Sequence, residues 1–100
     1  MKETTGKQRL ERLYRRLKKH YPEADIRFID ESLSINECKF PLFKVAFFIG
    51  EKQMLDAIWG YCSYGYEDNL LEFYDGVKEQ GYITEFRAFN LFKEQIKEKE

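Results

Sequence analysis

The chain has little of what builds metal centres, disulfide frameworks and hinges: its 100 residues include two cysteines, one histidine, two prolines and six glycines. A structural zinc site draws about four ligands from Cys and His, and Cys38, Cys62 and His20 are the whole supply. No Asp-rich loop has EF-hand spacing, so neither zinc nor calcium is expected. One possible disulfide is a thin framework for a secreted domain of this size, which usually carries about two to four. Both thiols are therefore expected to be free in a reducing cytosol, Cys38 in a strand and Cys62 packed beside aromatics as a small hydrophobe. The few Gly and Pro exclude a collagenous or linker-like chain. Gly60, Gly65, Gly76 and Gly81 are too dispersed for a phosphate loop or dinucleotide fingerprint, so no cofactor is expected. Long apolar runs are missing too. The longest is Val45–Ile49, far below the ~20 residues of a membrane-spanning helix. Met1–Leu10 is polar and lacks the apolar core of a secretory leader, so a cytoplasmic location and no membrane partner are expected.

What the chain does have is aromatic mass and charge. Aromatics make up 17%, with nine Phe, seven Tyr and one Trp, while hydrophobic residues make up 43% and charged residues 35%. That composition buries a core, and the length predicts a single domain over residues 1–100. The net charge of −1 conceals an asymmetry. Residues 1–20 hold eight basic and two acidic groups, a charge of +6, and the other 80 residues carry −7. Such a dipole either steers a partner or reflects a basic helix lying against an acidic body; the second reading is favoured.

Thr5-Gly6-Lys7-Gln8 has capping-box spacing, and Leu10, Leu13 or Tyr14, Leu17 and Tyr21 follow as one helical stripe. Pro22 cannot continue it, so a helix is predicted over residues 6–20. Ile26–Ile29 and Leu33–Ile35 read as β runs joined in a hairpin across Asp30-Glu31-Ser32. Cys38–Ile49 reads as a strand interrupted at Pro41, with residues 45–49 buried on both faces. Met54, Leu55, Ile58 and Trp59 suggest a helix over residues 51–61, and residues 60–66 a loop. A second capping-box spacing at Asn69-Leu70-Leu71-Glu72 suggests another helix, ended by Gly81. Thr84 is expected to cap a last helix with stripe Phe86, Phe89, Phe92 and Ile96, frayed from Lys93 to Glu100. The fold class is α+β: a small antiparallel sheet of about three strands packed by N-terminal and C-terminal helices.

Nucleophilic catalysis needs a base beside Ser, Cys or Thr. The one histidine falls at the C-terminus of a basic helix, where a partial cation interacts favourably with the helix dipole. The acidic pairs Glu67-Asp68 and Asp30-Glu31 are sequence neighbours whose side chains point apart. No catalytic constellation is legible, and a non-enzymatic chain is expected. Arg9, Arg12, Arg16 and Lys19 lie near one helical face and could neutralise phosphates, giving a nucleic-acid-binding alternative. Against it stands a pI of about 5.9, below the value above 9 typical of such domains. A third reading is self-association through the apolar stripe of the first or last helix.

The most unusual passage runs from Trp59 to Asp68: Trp59, Tyr61, Tyr64 and Tyr66 are interleaved with Gly60 and Gly65 and followed by Glu67-Asp68. Trp and Tyr give large contact area at low entropic cost, with a polar handle. Two readings compete: a recognition surface extended by Glu72 and Asp75, or core aromatics replacing scarce aliphatics. On the second, Trp59 and one or two tyrosines are buried, leaving Tyr64 and Tyr66 as the surface pair. Ser63-Tyr64-Gly65-Tyr66-Glu67, Leu70-Leu71-Glu72 and Gly81-Tyr82-Ile83-Thr84 together resemble a pattern in small uncharacterised phage and prophage proteins. The resemblance covers about the last 40 residues and departs at Asn69, where the pattern has Gly. It implies a mobile-element origin and an intracellular setting, and carries no activity or site residues. The leading expectation is a protein-binding module, an inhibitor or modulator of a host protein.

Overall fold

The computed structural model describes residues 4–99, which leaves Lys2, counted above in the basic segment, outside them. The first helix, α1, spans Gly6–His20 as the caps predict. Thr5 Oγ1 accepts from Gln8 N at 3.1 Å and Gln8 Oε1 accepts from Thr5 N at 2.9 Å, so both ends of the capping box are made. Leu10, Leu13 and Leu17 form its buried stripe.

Seven strands follow: β1 (Asp25–Asp30), β2 (Leu33–Ile35), β3 (Cys38–Phe40), β4 (Leu42–Ile49), β5 (Lys52–Gly60), β6 (Leu71–Tyr74) and β7 (Glu79–Ile83). The second helix, α2, spans Glu85–Lys99, so the tail expected to fray is helical to Lys99. The chain is α+β with antiparallel pairing throughout. However, it has a five-stranded sheet, β1-β4-β5-β6-β7, and a separate two-stranded one, β2-β3, rather than about three strands.

Three expectations fail for identifiable reasons. First, the hairpin predicted between residues 26–29 and 33–35 is instead β2–β3. Asn36 and Glu37 both take positive φ, 50° and 67°, giving a tight two-residue turn whose twist suits paired strands. β1 pairs with β4. Second, the helix predicted over residues 51–61 is β5. Its inward set is Leu55, Ala57 and Trp59, opposite Phe47, Val45 and Phe43 of β4. Third, the helix predicted from Asn69 to Gly81 is β6, a turn and β7. Asp75 Oδ1 accepts from Val77 N and Lys78 N, at 2.8 and 2.7 Å, and Gly76 sits at φ 99°, a turn no helix contains.

Both helices pack on one face of the large sheet and against each other, burying Leu10, Leu13 and Leu17 with Phe89, Phe92 and Ile96 over Val45, Leu55, Leu71 and Phe73. The stripe positions are thus consumed inside the chain, with Phe86 the exception at 61% exposure. Among the described residues no helix covers the opposite sheet face, which carries a mixed set including Arg27, Lys44, Asp56, Ile58 and Glu72. Burial raises the Asp56 carboxyl above its ordinary pKa, against the opposing effects of the Gln53 hydrogen bond and the Lys44 charge.

Candidate functional site

The loop after β5 is tied to the fold at both of its edges. Gly6, the first residue of α1, lies so close to Trp59 that a Cβ added there would sit 2.0 Å from the indole. The indole Nε1 donates to Tyr66 O at 3.1 Å, and the Tyr66 ring lies 5.1 Å from the Trp59 ring, centroid to centroid. Tyr66 closes the loop back over the strand end. It also opens a 3₁₀ turn, Tyr66–Asp68, that ends at Asn69 with φ 54°. Asn69 then joins loop to helix: its Oδ1 accepts from Gly6 N at 3.2 Å and its carbonyl accepts from Arg9 Nε at 2.7 Å. Ser63 Oγ both accepts from Gly60 N and donates to Gly60 O, fixing the start of the loop.

This anchoring decides which tyrosines reach solvent. Tyr61 is 56% exposed and Tyr64 57%, whereas Tyr66 is half-buried against Trp59. The surface pair is therefore Tyr61 and Tyr64, not Tyr64 and Tyr66, and Trp59 is partly rather than fully buried. Tyr64 lies on Gly81 of β7, where an added Cβ would come within 2.4 Å of Tyr64 Cβ. Its amide donates to Glu72 Oε1 at 2.9 Å. Glu72 is buried and holds the loop from beneath, so it is no surface contact residue. Asp75 belongs to the β6–β7 turn beside Lys52 and Met54. That turn lies at the far end of β5 from the loop, roughly 20 Å away at ~3.4 Å per residue. Glu67 and Asp68 are exposed, and neither takes part in an ion pair with any described residue.

Around the loop lies an open cleft of about 440 Å³, lined by residues 61–63 and 65–68 and by Tyr82. Tyr82 comes from β7, 61% exposed. In the β6–β7 register, Leu71 pairs with Ile83 and Phe73 with Gln80, so β7 carries one extra residue there. That bulge holds Tyr82 at φ 58°, a conformation that re-aims a side chain. Tyr82 was no candidate from sequence, because only strand pairing brings it to a loop some twenty residues earlier. Cys62, at φ 73°, is exposed in this cleft rather than packed as a small hydrophobe, and Cys38 is also exposed and free. His20 sits at the other end of β4, between the rings of Tyr21 and Phe89, and does not approach Cys62. Among the described residues no three His, Cys, Asp or Glu side chains gather into a metal-binding group.

The basic face of α1 is arranged differently. Arg9, 19% exposed in its side chain, donates to Glu85 Oε1 at 2.6 Å. Arg12 reaches Glu85 Oε2 at 3.5 Å, and the Arg16 guanidinium lies 4.3 Å from the centroid of the Phe89 ring. Glu85 is buried in the first turn of α2, where a carboxylate also meets the positive end of the helix dipole. Of the four residues proposed for phosphate contact, only Arg9 is drawn into the packing of α1 against α2; Arg12, Arg16 and Lys19 remain exposed, with Arg12 reaching Glu85 and Arg16 lying over Phe89. No described helix is long and apolar enough to cross a membrane. Comparison with protein-family models, with curated proteins and with solved structures finds no match to this chain.

Proposed function

We propose that the chain is a non-enzymatic protein-binding module whose contact surface is the tyrosine cleft formed by the loop after β5 and the bulge of β7. One observation carries this reading: Tyr61, Tyr64 and Tyr82 are each more than half exposed on hydrogen-bonded, anchored backbone, beside two carboxylates that pair with no described residue. Large amphipathic rings with little rotamer freedom are what interface hot spots use. The acidic rim suits a basic partner surface and speeds encounter with it. With the phage-like pattern in the same segment, the natural setting is a phage-encoded inhibitor or modulator of a host protein in the cytoplasm. A nucleic-acid-handling enzyme with a basic groove is the favoured kind of target.

The alternatives have weaker support. Nucleic-acid binding loses Arg9 to internal packing and has Arg12 and Arg16 engaged with Glu85 and Phe89, and self-association through a helical stripe loses the stripes, Phe86 apart, to the core. The test is capture of host proteins on immobilised chain, comparing wild type with Tyr61→Ala/Tyr64→Ala. A partner retained by wild type and lost by the double variant at unchanged melting temperature supports the module. Retention of the same partner by both would refute it.

A further inference from the structure

We propose that the tyrosine cleft is a receptor for an arginine side chain presented by the partner protein. The inference rests on the protein-binding reading and names the chemistry that the cleft selects. Its walls include Tyr61, Tyr66 and Tyr82, and the Tyr61 and Tyr66 rings meet at 76° with centroids 6.1 Å apart, a corner of two π-systems. A cation within about 6 Å of such a ring is attracted by its quadrupole, most strongly where water is partly excluded. Glu67 and Asp68 line the same cleft. Among the described residues no Lys or Arg lines it, so none of them compensates its negative charge. The carboxylates of Asp25, Glu31 and Glu85 each have a basic partner within 4 Å, whereas the exposed Glu37, Glu51 and Glu79, like Glu67 and Asp68, form no ion pair with any described residue, so it is the tyrosine walls that set the cleft's acids apart. The cleft therefore combines aromatic walls with two exposed carboxylates that no cation among the described residues pairs.

Guanidinium fits this combination better than ammonium. It is planar and weakly hydrated, so it stacks on a tyrosine face while its N–H fork donates to a carboxylate at the rim. The same chain already shows guanidinium groups set over rings: Arg27 lies 4.0 Å from the Phe48 centroid and Arg16 4.3 Å from that of Phe89. A Lys ammonium would keep more of its water and make no fork-like pair. The cleft lies within the roughly 300–1,000 Å³ of ordinary ligand sites, enough for an arginine side chain with its flanking peptide.

The test is a titration of the ¹⁵N-labelled full chain with blocked tetra-arginine, tetra-lysine and tetra-citrulline peptides, followed by amide chemical shifts at fixed salt. Citrulline keeps the shape of arginine and removes its charge. The expected result is saturable shifts confined to residues 61–68 and 82, with arginine tighter than lysine and citrulline silent. Tyr61→Ala/Tyr82→Ala and Glu67→Gln/Asp68→Asn should each weaken arginine binding by about tenfold or more at unchanged melting temperature. Equal binding of citrulline overturns the proposal, as do equal lysine binding, shifts centred elsewhere on the acidic surface, or indifference to both variants. A partner captured through the tyrosines while arginine peptides leave the cleft unperturbed would sink this inference and keep the module. Arginine bound in the cleft with no tyrosine-dependent partner would sink the module instead.

Discussion

The two charged regions of the molecule look alike in the sequence and behave oppositely in the fold. The basic face of α1 is a dense run of Arg and Lys, yet Arg9 is locked to the buried carboxylate of Glu85, Arg16 lies over Phe89 and Lys18 donates to Ala24 O. The acidic stretch after β5 holds only Glu67 and Asp68, and it keeps both at the surface beside exposed tyrosines. The difference teaches that charge density is a poor guide to a contact surface. What matters is whether another element of the same chain comes close enough to neutralise it. A helix packed on a second helix has the charge at that contact absorbed, here Arg9, while Lys7, Arg12, Arg15, Arg16 and Lys19 stay exposed; a loop pinned at its edges and open in the middle has none absorbed.

Removing the Glu85 carboxylate attacks the first half of that contrast hardest. Glu85→Ala leaves Arg9 without its carboxylate in a largely buried place, with only the Asn69 carbonyl still accepting from it, and should lower stability by about 2–3 kcal/mol, read as a fall in melting temperature. A change under about 0.5 kcal/mol would mean that Arg9 is solvated and the α1 face less absorbed than described. Gly6→Ala drives a methyl into Trp59 and should cost about 1–3 kcal/mol, with a change in indole fluorescence reporting the shift at the base of the loop. Asp56→Asn sharpens the picture on the uncovered sheet face. The folded state raises the Asp56 carboxyl above its unfolded value, so the folded chain holds this proton more tightly. The charged form therefore costs stability at neutral pH, a cost relieved as pH falls through the raised folded value. The variant should melt higher than wild type at pH 7, and the advantage should vanish toward pH 4. Smallest of all, Tyr61→Ala or Tyr82→Ala should change stability by less than about 0.5 kcal/mol, since each ring is mostly in water. A large loss would place those rings in the structural frame.

Much of the helical part of this architecture is legible in the sequence. Thr5 with Gln8 and Thr84 before Glu85 mark both helix starts, and Thr84 Oγ1 accepts from Arg87 N at 3.2 Å as a cap should. The strands β5 and β6 are not, because their apolar residues fit two periods at once. Met54, Leu55, Ile58 and Trp59 make a credible helical stripe, yet β4 pairing selects Leu55, Ala57 and Trp59, and small Ala57 carries little hydrophobic weight in the pattern. Asp75-Gly76 is a turn signal within the supposed second helix, and it outranks the capping-box spacing at Asn69 that pointed the other way. Asn69 caps the 3₁₀ turn and α1 instead. For the site, Tyr61, Tyr64, Glu67 and Asp68 are within reach of sequence reasoning because they lie close together in one segment. Tyr82 and the inward turn of Glu72 depend on which strands pair, which no local pattern states.

Paired footprints would test the account most directly: capture the partner with wild type, with Tyr61→Ala/Tyr64→Ala and with Arg12→Ala/Lys19→Ala, each checked for an unchanged melting temperature. Binding is expected to disappear only when the tyrosines are removed. Binding that survives their loss and fails without the two helix cations would contradict it.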